Sequence, residues 1–271
     1  MSVEDPLTMK LAISGSIVLL FTLSAGAGTF LVNFDSGKLD EWNELLMGDA
    51  LPGSWEIVDS ELHAVSPDGW TRLLTIGDET WRDYTIEFDI KPLDNRGPSN
   101  IVVAARINGS WLVWCLIGDL PFVDNISEVM FAAGNLRDPN TFLFSHSRRQ
   151  RFLKLNEWSK LKLDVKENIL NFWINGKLFI GPVQLPDRQS FLRFDALRKE
   201  HAAEEGRKLP PLQLNGIPVD FLTGRIGLGL SNQTALFDNV VITGETIPDK
   251  RELSVTPSAK LATMWGSLKR F

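Results

Sequence analysis

The stretch from Trp158 to Val241 constrains the fold of this chain most. It reads W-S-K-L-K-L-D-V, then I-L-N-F-W-I-N-G-K-L-F-I, and after a long insertion G-R-I-G-L-G-L and L-F-D-N-V-V-I. The first two runs alternate apolar and polar residues with period two, the spacing that sends successive side chains to opposite faces of a strand. They meet at Asn175-Gly176, a dipeptide that takes the positive φ values of a tight hairpin at little cost, and are expected to be neighbouring antiparallel strands. Upstream, in W-R-D-Y-T-I-E-F-D-I, Ile86, Phe88 and Ile90 share one face and Glu87 and Asp89 the other. The turn-rich segment Pro92 to Pro98 is expected to end that strand.

A second hairpin is expected at Asn108-Gly109, between I-V-V-A-A-R-I and W-L-V-W-C-L-I. A two-residue turn there pairs Ile107 with Ser110 and Arg106 with Trp111. Counting on, Val103 faces Trp114 and Ala105 faces Leu112. Arg106 and Trp111 then share an outer face, and Val103, Ala105, Leu112 and Trp114 form a core face. In the later hairpin Leu170, Phe172 and Ile174 take one face, and Asn171 and Trp173 the other. A first strand is expected over Thr29 to Phe34. Between Pro186 and Asp220 the strand rhythm breaks, and Ser190 to Arg207 carries the residues of a short amphipathic helix ending near Gly206.

The order of these phrases resembles the concanavalin A-like lectin/glucanase sandwiches, especially laminin-G-like domains and the 3-keto-disaccharide hydrolase-like domains of bacteria. The matching phrases are the opening F-D-S-G-K-L-D-E-W, W-R-D-Y-T-I-E-F-D-I, a strand ending in Arg106, E-W-S-K-L-K-L, W-I-N-G-K, and G-R-I-G-L followed by F-D-N-V. The resemblance covers residues 33 to 245. It implies an all-β fold: a two-sheet antiparallel jelly-roll sandwich with a short helical insertion and a C-terminal tail. Where that family has an N-S-G-I/V step before its arginine, this chain has P-S-N-I-V-V-A-A-R, so no catalytic set is carried over. The resemblance also implies a structural calcium ion where the first strand meets the last. Asp35 in F-D-S-G and Asp238 in F-D-N-V would be its oxygen ligands; the alternative is that each aspartate caps a turn or bulge.

With 271 residues, of which 44% are hydrophobic and 23% charged, the chain can bury a core without metal or disulfide. A formal net charge of −6 argues against a nucleic-acid partner, which needs a basic face. Cys115 is the single cysteine, so no intrachain disulfide forms, and it is expected to be a small buried hydrophobe. Leu11 to Leu23 is an uncharged apolar run preceded by Lys10 and followed by Ala25-Gly26-Ala27, the pattern of a secretory signal cleaved after Ala27. An uncleaved anchor is the competing reading, but the run is shorter than the ~20 residues of a bilayer span. The expected organisation is a signal peptide at 1–27, a sandwich at 28–247 and a tail at 248–271, which either is flexible or docks through Trp265 and Leu268. Such a protein is secreted, periplasmic or held in the cell envelope, with no stable membrane span after cleavage.

The chain has no G-x-S-x-G elbow, P-loop, H-E-x-x-H or paired C-x-x-C. His63, His146 and His201 are too far apart in sequence to suggest a zinc site. Glu87-Phe88-Asp89-Ile90-Lys91 begins the E-x-D-x-x-E run of laminarinase-type enzymes, but the second glutamate is missing. Glu87 and Asp89 stand roughly 6.5 Å apart along a strand, a separation that does not specify a glycosidase. The leading functional expectation is carbohydrate recognition on one sheet face. Trp111 and Trp173 would stack on sugar rings, and Glu87, Asp89 and Arg106 would bond hydroxyls. Two alternatives stay open: a glycoside-cleaving enzyme of the 3-keto-disaccharide hydrolase type, and a structural interaction module without small ligand.

Overall fold

The computed structural model describes residues 27–118, 128–137, 144–149, 153–185, 187–206, 208 and 221–251. The apolar run at 11–23 and the tail from 252 onward lie outside the described residues. Two long strands organise the rest: β6 (Tyr84–Asn108) and β13 (Arg225–Gly244). They pair antiparallel along almost their whole length, from Tyr84 opposite Gly244 to Ile107 opposite Arg225.

Each long strand recruits different neighbours along its two halves. The first half of β6 pairs with β10 (Ser159–Lys166), which continues to β11 (Ile169–Ile174) and β12 (Lys177–Gln184). The second half pairs with β7 (Trp111–Gly118), then β8 (Glu128–Asn135) and β9 (Phe144–Arg149). Along its other edge β13 meets β5 (Arg72–Ile76), β4 (Glu61–Ser66) and β1 (Gly28–Val32) in turn. β2 (Asn43–Leu46) adds to β5, β3 (Ser54–Val58) to β4, and β14 (Lys250–Arg251) to β1.

This hydrogen-bonded network folds over itself into two layers, and the protein is an all-β sandwich. The lower layer holds β12, β11, β10, the first half of β6 and the second half of β13; the upper holds β9, β8, β7 and the remaining halves. Phe131 of β8 meets Phe172 of β11 across the gap, edge to face at 6.4 Å. Ile86, Phe88, Leu161 and Leu163 fill the same core from below, and Val103, Val113 and Cys115 from above, all buried. Their alternation with half-exposed residues on β10 and β11 is the period-two pattern read in the sequence.

Three local expectations are corrected. Pro92 to Pro98 does not end a strand; β6 runs on through it. Register shifts on β13 at Ser231/Gln233 and Thr234/Ala235 lie opposite this segment, and Gly97 takes φ +135°. Extra residues of this kind bend a strand without ending its pairing, and here the bend carries the ribbon from one layer into the other. Asn175-Gly176, with φ of 50° and 76°, joins β11 to β12, whereas β10 and β11 turn at Glu167-Asn168. The first strand stops at Val32, and Phe34 takes a positive φ of 56°. The helix α1 (Arg188–Glu204) lies where the sequence placed one, N-capped by Asp187, whose Oδ1 accepts from the Ser190 backbone N–H at 2.7 Å.

The Asn108 hairpin is also shifted by one residue. Asn108 pairs with Trp111, yet Ala105 pairs with Val113, so the turn is Gly109-Ser110 and β6 carries one extra residue. Arg106 is at that irregularity, with φ +56°. The slip exchanges the faces. Trp111 joins Val103 and Ala105 between the layers, 6.5 Å from the Phe221 ring, and Trp114 joins Val102, Ala104 and Leu112 on the far side of the upper layer. Both rings are buried, at 3% and 2% exposure. Trp111→Ala and Trp114→Ala are therefore each expected to cost about 3–5 kcal/mol in urea unfolding. A Trp111→Ala protein as stable as wild type would return that ring to the surface.

Candidate functional site

The outer face of the lower layer carries a row of polar side chains that runs straight across the strands. Asp238 of β13 pairs with Asp89 of β6, and Asp89 with Lys160 of β10. Lys160 exchanges bonds with Asn175: its backbone N–H donates to Asn175 Oδ1 at 2.8 Å, and its carbonyl accepts from the Asn175 N–H at 2.8 Å. On the opposite flank Phe237 pairs with Leu62, which brings Glu61 beside Asp238. Because side chains alternate, this row projects away from the core that Phe88, Ile90 and Leu161 fill.

These residues line an open groove of about 450 Å³, together with Trp158, Ser159 and Asn239. Lys160 Nζ donates to Asp89 Oδ1 at 2.8 Å and lies 3.6 Å from Glu87 Oε1. Asn239, at a positive φ of 51° where the β6 register shifts, turns its amide inward. Its Nδ2 donates to Asp89 Oδ2 at 2.9 Å and to Asp238 Oδ2 at 3.0 Å. The Trp158 ring closes one end of the groove with 41% of its surface exposed and Lys91 Nζ 6.0 Å from its centre.

The electrostatics are uneven. Burial raises the Glu61 carboxyl above its ordinary 4.5, the neighbouring Asp238 and Asp59 charges add to the rise, and Lys91 opposes it. Lys160 moves the other way for a cation. Burial lowers its pKa, but bonds and charge from Asp89 and Glu87 outweigh this and leave it raised. The groove thus holds a carboxyl that keeps its proton longer than usual and an ammonium locked into its charged form.

Of the residues expected to hold a ligand, Glu87, Asp89 and Trp173 share this outer face. Trp173 lies opposite Lys162, which lies opposite Glu87. Arg106 and Trp111 do not. Arg106 is fully buried between the layers, because the extra residue in β6 turns it inward. Its Nη2 donates to Asp83 Oδ1 and to the Val165 carbonyl, both at 3.2 Å, and its backbone N–H donates to Tyr84 Oη at 2.7 Å. Tyr84 Oη in turn donates to the Gly224 carbonyl at 3.0 Å. Burial raises the Asp83 pKa, but the Glu167 N–H and the Arg106 guanidinium more than offset this and hold it below its usual value.

The two aspartates expected at a calcium ion have different surroundings. Asp35 Oδ2 accepts from Asn33 Nδ2 at 2.5 Å in the turn after β1, and Asp238 accepts from the Asn239 backbone N–H at 2.7 Å. Among the described residues no group of three or more His, Cys, Asp or Glu is arranged to hold a metal ion. Glu61, Trp158, Lys160, Asn175 and Asn239 were missed in the sequence. Only Asn175 carried a signal, as a turn residue; the other four join the groove through pairings with strands remote in sequence.

Residues 29–243 match the 3-keto-alpha-glucoside-1,2-lyase-like domain family. No curated protein matches the chain. Solved structures with a similar fold include a carbohydrate-binding module from Bacillus subtilis, 14% identical with a TM-score of 0.46, covering 74% of this chain and 93% of that one. Another is domain 4 of an extracellular arabinanase from Geobacillus stearothermophilus in complex with arabinotriose, 12% identical with a TM-score of 0.43, covering 81% and 93%. A third is an endo-β-galactosidase from Clostridium perfringens that releases GlcNAcα1-4Gal, 11% identical with a TM-score of 0.47, covering 84% and 65%.

The raised Glu61 carboxyl gives a pH test. A carboxyl with a raised folded-state pKa binds its proton more tightly in the folded than in the unfolded protein. Its contribution favours folding at low pH, and that advantage is lost as pH rises through the folded value. Glu61→Gln keeps the shape and removes the titration. It is expected to melt above wild type at about pH 7 and to match it at about pH 4, where both side chains are neutral. A variant that melts below wild type at neutral pH would show that the carboxylate is stabilised in the groove.

Proposed function

The chain belongs to the 3-keto-alpha-glucoside-1,2-lyase-like domain family, and from that membership we propose that it recognises a glucoside in the outer-face groove of the lower layer. The observation that carries this reading is the exposed Trp158 ring beside a row of hydrogen-bonding groups. A pyranose presents an apolar C–H face and a rim of hydroxyls. An exposed indole meets the first; carboxylate acceptors, amides and an ammonium meet the second. Asp89 and Asp238 accept, Lys160 donates, and the side-chain amides of Asn175 and Asn239 do both.

A second reading is cleavage of the bound glucoside, favoured by the contrast between Glu61 and Asp89. The Glu61 carboxyl, pushed toward its neutral form, can give its proton to the leaving glycosidic oxygen, while Asp89 in the same groove takes a proton from a water that attacks the anomeric carbon. Under this reading Glu61→Gln keeps binding and loses product release.

Export fits either activity, and the apolar run ahead of Ala27 supports it. N-terminal sequencing of secreted material should return Gly28; recovery of the intact N-terminus would count against a cleaved signal. No helix among the described residues is long and apolar enough to cross a membrane.

Binding is tested by titration calorimetry of the full chain against α- and β-linked gluco-oligosaccharides. Trp158→Ala is expected to weaken binding about tenfold or more and to shift stability by no more than about 0.5 kcal/mol, as for an exposed side chain. Loss of no affinity on removing that ring, or no binding by wild type, would overturn the reading.

A further inference from the structure

We infer that the groove is one end of a longer surface shaped for a linear, uncharged oligosaccharide, with Trp173 as its second ring. This rests on the groove reading above and adds the size and charge of the ligand. Trp158 directly precedes β10, whose first residue Ser159 is buried, and Lys160 and Lys162 follow on the outer face. Lys162 pairs with Trp173 of β11, and Trp173 with Leu178 of β12, which is 44% exposed. The two indoles are therefore offset by four residues along the chain direction, roughly 13 Å, and by one strand spacing, about 5 Å, with a polar row midway between them. One pyranose cannot touch both rings. A chain of three or more sugars lying along β10 reaches both and passes over the Asp89, Lys160 and Asn175 row on the way.

Three further observations favour this occupant. Lys160 bridges the rows, with its Nζ 2.8 Å from Asp89 and 3.6 Å from Glu87, so the hydrogen-bonding surface continues from the groove toward Trp173. Lys162 Nζ lies 5.1 Å from the Trp173 ring centre, a cation–π contact that holds the ring in place. Along β6, β10 and β13 the charges on this face also balance: Glu87, Asp89, Asp164 and Asp238 stand against Lys91, Lys160, Lys162 and Lys166. A polyanion would need an excess of the basic side chains and a polycation an excess of the acidic ones. A neutral glycan needs neither, and both signs offer partners to its hydroxyls.

The experiment is a titration of the full chain with maltose through maltohexaose and cellobiose through cellohexaose, repeated on Trp158→Ala and Trp173→Ala. Wild-type affinity is expected to rise about tenfold between the disaccharide and the tetrasaccharide and then to level off. Trp173→Ala should abolish that rise and leave disaccharide binding unchanged. Equal affinity at every length, or a length dependence that survives Trp173→Ala, would overturn the extended surface while the groove reading stands. Absence of binding at every length would overturn both.

Discussion

The pairing of β6 with β13 is the constraint on which the rest of the structure depends. Each strand has hydrogen-bonding groups along both edges, and buried backbone polar groups must be satisfied. Once the two long strands pair with each other, β10 and β7 take the free edge of β6, β5, β4 and β1 take that of β13, and the remaining described strands add outward from these. The ribbon is too long for one flat layer. It bends where β6 carries extra residues, in and just after its Pro92 to Pro98 segment, and the two halves close on a shared core from Ile86 and Phe172 below to Val113 and Phe131 above. Proline and glycine, which ordinarily punctuate strands, here supply the fold line.

Buried arginines hold this arrangement at two places. Arg72 is fully enclosed, yet its guanidinium donates to both carboxylate oxygens of Asp68, to Ser66 Oγ and to the carbonyls of Leu51 and Trp70. A charge so completely bonded is tolerated in an interior, and removing one partner would leave the remainder exposed to the full cost of desolvation. Arg106 is enclosed as completely but bonded less fully. Nη2 has its partners, and Nε and Nη1 have none among the described residues. What Arg106 does secure is position. Its backbone N–H, the Tyr84 hydroxyl and the Gly224 carbonyl form a chain that ties the end of β6 to the start of β13. The positive φ at Arg106 is the geometric origin of the one-residue slip that turns Trp111 inward.

The outer face of the lower layer shows how register becomes chemistry. No two of Glu61, Asp89, Lys160 and Asp238 lie closer than 28 residues apart in sequence, yet antiparallel pairing places them in a single row. A β-sheet offers no other economical way to bring four remote charged groups together. The turn residues finish the site: the Asn175 side chain closes on Lys160, and Asn239 turns its amide between Asp89 and Asp238.

The sequence by itself determined what depends on near neighbours along the chain. Period-two alternation placed Phe172 and Ile174 inside and Trp173 outside and put Glu87 and Asp89 on one face, and the helix-forming residues from Ser190 onward marked the helix. The phrases around Trp158 and Asp238 were sufficient to mark the sandwich family. Tertiary structure alone decided the register at Arg106, because a single residue in the left-handed conformation leaves the alternation of the sequence intact while exchanging every face beyond it. It alone decided that Pro92 to Pro98 bends a strand that continues. Glu61 and Trp158 joined Asp89 in one groove for the same reason: contacts between strands distant in sequence arise from hydrogen-bond pairing across the sheet, and no local pattern in the chain encodes which residue will stand opposite which.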